Sequence, residues 1–153
     1  MSDGIIRQIV ESDIPALFVV RPQTRENAMS VEELATIGIT PNSMVEAIHG
    51  SHRGWLFEQN GKVGGFAMGD SEKAELTVMA MLPEFEGRGI GKELLTKVEE
   101  WLKSEDCRTI WLTTDTNPEM RAYGFYLNQG WTDWKIEYDL RFMIKKLDEE
   151  AGV

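Results

Sequence analysis

The stretch ELTVMAMLPEFEGRGIGKELL, residues 75–95, joins an apolar segment to an amphipathic one through a loop with three glycines in five positions. Residues 76–82 carry β-branched and large apolar side chains in succession, which is typical of a strand covered on both faces. The glycines Gly87, Gly89 and Gly91 let backbone N–H groups turn outward at the start of a helix, whose dipole favours an anion. The stretch therefore predicts a strand, a phosphate-binding loop and a helix in succession.

Two common phosphate loops do not fit these residues. A Walker A loop, G-x-x-x-x-G-K-S/T, would need a glycine where Glu86 stands and a serine or threonine where Glu93 stands. A dinucleotide fingerprint, G-x-G-x-x-G, would need its last glycine at Lys92, one place after Gly91. Nucleoside triphosphates and dinucleotides are therefore disfavoured as ligands.

The loop Glu86-Gly87-Arg88-Gly89-Ile90-Gly91 instead resembles the acyl-CoA loop of the GCN5-related N-acetyltransferase (GNAT) superfamily, Q/R-x-x-G-x-G/A. It departs from that pattern at Glu86. We expect the Glu86 carboxylate to point away from the anion, while its backbone N–H still serves the loop.

A second stretch, Ala122 to Trp131, resembles the pattern A-x-x-F-Y-x-x-x-G-F/W of the same superfamily at every fixed position. The asparagine that the superfamily often carries three residues before the alanine is Glu119 here, and Asn117 lies nearby. Asn117 is therefore the candidate for that cofactor contact.

The resemblance implies an α/β fold with an α+β mixed sheet. The sheet would have seven mostly antiparallel strands, would splay between strands four and five, and would be flanked by helices. The residues themselves predict a hairpin at Asn60-Gly61 and helix starts at Ser30 and at Thr40-Pro41. They also predict a helix from Pro118 to Gln129 and a seventh strand that includes Tyr138. We expect one domain over residues 1–147 and a frayed tail over 148–153.

The formal charge of −10 argues against nucleic acid or an anionic membrane as the main partner. Cys107 is the only cysteine, so no internal disulfide or cysteine-based metal cluster can form, and we expect no metal. The N-terminal residues lack the long apolar run of a signal peptide, and no later run is long enough to span a membrane. These features predict a soluble cytoplasmic protein.

The resemblance implies acetyl-CoA as the cosubstrate. Its diphosphate would lie on Gly87, Arg88, Gly89, Ile90, Gly91 and Lys92, and its pantetheine arm along Met79, Ala80 and Met81, with Asn117 and Tyr126 as further contacts. A strand-four backbone N–H near Met79 or Ala80 would stabilise the oxyanion.

Two catalytic candidates follow. Glu75 is a carboxylate in a strand that is otherwise largely apolar, and it lies where histone-acetylating relatives carry a general base; alternatively, it is solvated and pairs with Lys73 or Arg53. Tyr126 occupies the position of the superfamily's usual general acid for the thiolate, and the alternative is an aromatic side chain that packs beside Phe125.

The superfamily places its acceptor surface on the first helices and the last hairpin. The corresponding candidates for acceptor binding are Arg25, Glu26, Asn27 and Trp131, with a solvated loop and packing at the sheet edge as their alternative roles.

The resemblance implies an N-acetyltransferase that transfers an acetyl group directly to a primary amine of a small molecule or peptide. A non-catalytic acyl-CoA-binding regulator, or an acyltransferase with another acyl group or acceptor, remains an alternative, and a homodimer is left open.

Overall fold

The computed structural model describes residues 4–26 and 28–147. Its strands are β1 (Ile5–Gln8), β2 (His52–Gln59), β3 (Lys62–Asp70), β4 (Glu75–Met81), β5 (Thr109–Asp115), β6 (Thr132–Glu137) and β7 (Leu140–Lys146). They form one sheet in the order β1-β2-β3-β4-β5-β7-β6, in which β4 and β5 are parallel and the other neighbours are antiparallel. The predicted seven-stranded, mostly antiparallel sheet is confirmed.

The helices are α1 (Ile14–Val20), α2 (Val31–Thr36), α3 (Pro41–His49), α4 (Ile90–Ser104) and α5 (Arg121–Asn128). The Ser30 hydroxyl accepts a hydrogen bond from the Glu33 N–H, and the Glu33 carboxylate accepts one from the Ser30 N–H, so a reciprocal cap starts α2. Thr40 and Ser43 make the same exchange at α3. Both helix starts lie where the sequence predicts them. Within the described part of the chain, every helix is too short or too polar to span a bilayer.

The helices cover both faces of the sheet. Met68 of β3 lines a cavity beneath α1 and α3, whereas a Cβ added at its neighbour Gly69 would lie 2.8 Å from Val98 of α4. Because successive residues of a strand point to opposite faces, α4 covers one face, and α1 and α3 cover the other. Both faces of the central strands are therefore buried, which explains their apolar runs.

Two of the hairpins, β2–β3 and β6–β7, differ in how clearly the sequence predicts them. Asn60 and Gly61 both have positive φ, as the Asn-Gly signal predicts. Tyr138, expected in the seventh strand, instead forms the β6–β7 turn with Asp139, at φ values of 55° and 60°. Tyr138 is 86% exposed, so its ring lies at the tip of the turn and does not pack on the sheet as a strand residue would.

Helix α5 starts at Arg121 and not at the predicted Pro118. The Asp115 carboxylate accepts a hydrogen bond from the Asn117 N–H, and the Asn117 side-chain oxygen accepts one from the Glu119 N–H. These side chains offer the backbone an alternative to helical hydrogen bonds and delay the helix by three residues.

Candidate active site

Strands β4 and β5 diverge, as expected. Their only register pair joins Glu75 to Trp111, at the start of β4. From that pair towards the carboxyl ends of both strands, the sheet opens into a cleft of about 790 Å³, walled by residues 76–81, residues 112–115 and α5, with the glycine loop at one end. Since no described strand pairs with this edge of β4 beyond Glu75, its backbone groups are open to an extended ligand.

A register shift in β4 lies inside this cleft. Met68 of β3 pairs with Val78, but the next residue, Gly69, pairs with Leu76, so Thr77 is an extra residue in β4. A bulge of this kind re-aims side chains and is over-represented beside active sites. Here it leaves Thr77 exposed in the middle of a central strand.

The glycine loop is built to receive an anion. Gly87 and Gly89 have φ values of +78° and +83°, and a Cβ at either position would meet nothing within 4 Å, so glycine is required there by conformation and not by crowding. Gly89 is the N-cap of the fifteen-residue helix α4, and no side chain caps that end. The first N–H groups of α4 therefore point towards the cleft together with the positive end of the helix dipole.

Glu86 does not behave as expected. Its carboxylate lines the cleft, 15% exposed, at 3.0 Å from Arg25 Nε and 3.7 Å from Arg121 Nη1. Its backbone N–H donates to the Pro83 carbonyl in a 3-10 turn, Pro83–Phe85, and so does not serve an anion. The departure from the superfamily pattern is thus compensated by two guanidinium groups.

Glu26, the neighbour of Arg25 in the chain, makes a second contact in the same region, with the start of α5. Its carboxylate accepts hydrogen bonds from the N–H groups of Arg121 and Ala122, at 2.9 and 3.4 Å. It therefore caps α5 from a distant part of the chain, where its negative charge complements the helix dipole. Arg25 and Glu26 together tie the segment before α2 to both the glycine loop and α5. Asn27, the third acceptor candidate of this segment, lies outside the described residues.

Tyr126 lies on the wall of the cleft. Its ring packs against Phe125 and Trp131, with ring centroids 5.5 and 6.0 Å away, and only 8% of the residue is exposed. Burial raises the pKa of its phenol, so the hydroxyl keeps its proton at neutral pH.

Several predicted cofactor contacts line the cleft together with Tyr126: Met79, Ala80, Met81, Gly87, Gly89, Gly91 and Lys92. Arg88 and Ile90 are not among the lining residues. The guanidinium of Arg88 lies over the Phe85 ring, and Ile90 is buried in the core. Asn117 also lies outside the lining, in the turn before α5.

Glu75 and Trp131 are likewise separated from the cleft lining. Glu75 lies where β4 and β5 meet, and burial raises the pKa of its carboxyl; Lys73 opposes this rise and Asp70 adds to it. Trp131 is 1% exposed, and its indole N–H donates to the Glu99 carboxylate. Trp131 therefore packs in the core, behind Tyr126.

Sequence reasoning did not single out two residues that the cleft exposes. Thr77 is the one hydroxyl residue in the strand ELTVMAM, and this contrast with its apolar neighbours could have indicated an exposed position. Arg21 also lines the cleft; it begins the segment Arg21 to Met29, which the resemblance assigns to the acceptor surface, but no local pattern distinguishes it from its polar neighbours.

The family model described as the Acetyltransferase (GNAT) family matches residues 18–131. The chain belongs to the GNAT family. The match includes β2 to β5, both helices that border the cleft, and the glycine loop, so every residue of the cleft lining except Leu140 lies within the matched range.

Solved structures share this fold. The PaiA N-acetyltransferase of Thermoplasma acidophilum, solved with coenzyme A, is 20% identical, with a TM-score of 0.81 over 96% of this chain and 100% of that chain. The ribosomal-protein-S18-alanine N-acetyltransferase of Escherichia coli is 19% identical (TM-score 0.73; 94% and 93% covered). YncA of Salmonella typhimurium, solved with its cofactor acetyl-CoA, is 18% identical (TM-score 0.72; 97% and 96% covered). No curated protein matches the chain significantly.

Proposed function

We propose that this GNAT protein is an acetyl-CoA-dependent N-acetyltransferase that transfers the acetyl group directly to a primary amine. The observation that carries the proposal is the cleft between β4 and β5. It has an uncapped helix N-terminus at one end, an unpaired strand edge along one wall and a buried tyrosine on another. Coenzyme A or acetyl-CoA is bound in the solved PaiA and YncA structures, and the cleft fits such a ligand in its chemistry.

The residues divide the binding between them. Gly87, Gly89, Gly91 and Lys92 would hold the diphosphate with backbone N–H groups and one ammonium, and the backbone of Met79 to Met81 would pair with the pantetheine amides. A backbone N–H near Met79 or Ala80 would stabilise the oxyanion.

In the transfer step, the amine nitrogen forms a bond to the acetyl carbon and the carbon–sulfur bond breaks. Tyr126 would donate its phenol proton to the departing sulfur. The amine would release a proton to solvent, and Tyr126 would take up a proton from solvent. Glu75 lies outside the cleft lining, so a role as base requires water between its carboxylate and the amine.

A covalent route through Cys107 is disfavoured. Burial raises the pKa of this thiol, with neighbouring carboxylates adding to the rise, so little thiolate forms at neutral pH. Its sulfur lies 3.6 Å from the Ser71 carbonyl oxygen, and Cys107 is not among the residues that line the cleft.

The test is release of free coenzyme A from acetyl-CoA, followed with a thiol reagent, with and without primary amines. We expect release only when an amine is present, and an acetylated amine of matching amount by mass spectrometry. Tight binding of acetyl-CoA without turnover across a broad amine panel would instead support a non-catalytic acyl-CoA-binding regulator. Turnover with alcohols or with longer acyl groups would support the other acyltransferase alternative.

A further inference from the structure

A second cavity, of about 220 Å³, lies between the sheet and the layer formed by α1, α2 and α3. Most of its lining is apolar and includes Leu17, Phe18, Leu34, Met44 and Phe66. An apolar cavity of about 150 Å³ already holds a benzene molecule. This cavity is therefore large enough for an aromatic ring or a branched aliphatic chain.

The cavity adjoins the cleft described above. Arg21, Thr77 and Val78 line both spaces, so these three residues mark the boundary between them. The bulge at Thr77 lies at this boundary and makes the strand accessible there. A molecule that enters the cavity would therefore pass over Thr77, next to the edge of β4 proposed to hold the acetyl-bearing arm.

Most polar groups around the cavity are already engaged within the protein. The Ser43 hydroxyl bonds with Thr40, and the Thr77 hydroxyl donates to the Met68 carbonyl. The ring of His52 lies 3.7 Å from the buried Asp70 carboxylate. The interior of the cavity thus offers apolar contact as its main interaction.

Arg21 supplies positive charge at the boundary. One of its contacts within the protein joins Nη2 to the Met29 sulfur at 3.2 Å, and a guanidinium, with five N–H donors, can serve more than one acceptor at once. Desolvation lowers the pKa of this group, which stays cationic at neutral pH. A negative group beside a desolvated cation is stabilised more strongly than in water. An anionic group of a ligand would therefore be favoured at the mouth of the cavity.

We propose that the acceptor is a free amino acid with an apolar side chain, held with its amine over Thr77, its carboxylate beside Arg21 and its side chain in the cavity. The proposal rests on the proposed N-acetyltransferase function and names the substrate class for it. The product is the N-acetylated amino acid and free coenzyme A. A polyamine or the side chain of lysine would bring a second charge into an apolar space and is disfavoured.

The test compares matched acceptors on the full chain with acetyl-CoA. L-phenylalanine and L-leucine should have kcat/KM at least about tenfold above that of glycine or L-lysine. Burial of even one or two apolar groups of a substrate changes kcat/KM by about that factor. L-phenylalaninamide keeps the shape and loses the carboxylate, and it should react about tenfold less well than L-phenylalanine. A preference for glycine, lysine or a polyamine overturns the proposal, and equal use of the amide overturns the role assigned to the carboxylate.

Two variants locate the side-chain pocket. Ala47→Phe fills the cavity from α3 and should raise KM for L-phenylalanine about tenfold or more, while the affinity for coenzyme A stays unchanged. Ala35→Phe adds the same ring at an exposed position of α2 outside the lining and should leave KM unchanged. An unchanged KM in Ala47→Phe, with a melting temperature like that of the parent, would overturn the assignment.

The failure of this proposal can be told apart from failure of the proposed function. Transfer to other amines, with no use of apolar amino acids, keeps the N-acetyltransferase function and rejects the apolar amino acid as acceptor. Binding of coenzyme A with no transfer to any amine rejects both. The acceptor panel on the unmodified protein decides this without any variant.

Discussion

We expect Glu86→Gln to tighten the binding of coenzyme A by roughly 15-fold. The side chain lines the cleft beside the glycine loop, at 3.0 Å from Arg25 and 3.7 Å from Arg121. Glutamine keeps the size of the side chain and an oxygen that can accept a hydrogen bond from Arg25. The substitution therefore changes the charge of this wall by one unit while the two guanidinium groups stay nearby.

The magnitude follows from Coulomb's law. For a diphosphate of about two charges placed about 7 Å from the Glu86 carboxylate, with an effective dielectric constant of about 60, the repulsion is about 1.6 kcal/mol. This energy corresponds to roughly a 15-fold change in the dissociation constant. The side chain of Arg25 is 56% exposed, so loss of its ion pair should cost less than about 1 kcal/mol of folding free energy.

The assay is isothermal titration calorimetry with coenzyme A and with pantetheine, which lacks the diphosphate. Only the affinity for coenzyme A should rise, and the gain should shrink between about 0.1 and about 1 M salt, where the screening length falls from about 10 to about 3 Å. Glu84→Gln is the matched control, because Glu84 pairs with Lys62 at 2.7 Å, is 54% exposed and does not line the cleft. Unchanged or weaker binding by Glu86→Gln, or an equal gain in both variants, would refute the reasoning.

Three further predictions concern catalysis, the glycine loop and pH. Tyr126→Phe should lower the transfer rate about 100-fold with little change in coenzyme A affinity, whereas Tyr123→Phe, which loses only a hydrogen bond to Asp133, should not; equal rates would remove the acid role. Gly89→Ala should destabilise the protein by about 1–2 kcal/mol in urea unfolding because φ is +83°, and Gly124→Ala, in the middle of α5, should stabilise it by up to about 1 kcal/mol; the same sign for both would contradict this. Burial raises the pKa of the Glu75 carboxyl, so its ionisation costs folding free energy; this cost is absent below the ordinary pKa, grows as the pH rises through the raised pKa, and is full above it. Glu75→Gln should therefore raise the melting temperature near pH 7 and give no gain near about pH 3, and a gain that does not depend on pH would refute the assignment.

Local signals predicted most of the fold. The reciprocal caps at Ser30 and Thr40, the Asn60-Gly61 turn and the glycines at 87 and 89 each act within a few residues, and the structure has each of them where the sequence indicates. The errors occur where side chains compete with the backbone. At residues 115–119, side-chain hydrogen bonds delay α5, and at Tyr138 a left-handed turn is made without glycine.

The candidate site was less predictable, because its decisive contacts join distant residues. Arg25 reaches Glu86 across 61 positions, and Glu26 caps a helix 95 positions away, so neither partner can be found from local spacing. Read alone, Glu86 is a defect in a phosphate loop; beside Arg25 and Arg121 it is one member of a charge cluster that joins the segment before α2 to the glycine loop and to α5. The same holds for Thr77, which is exposed because β4 bulges against β3 and diverges from β5. Motifs identified the family and the glycine loop, whereas long-range packing decides which side chains line the cleft.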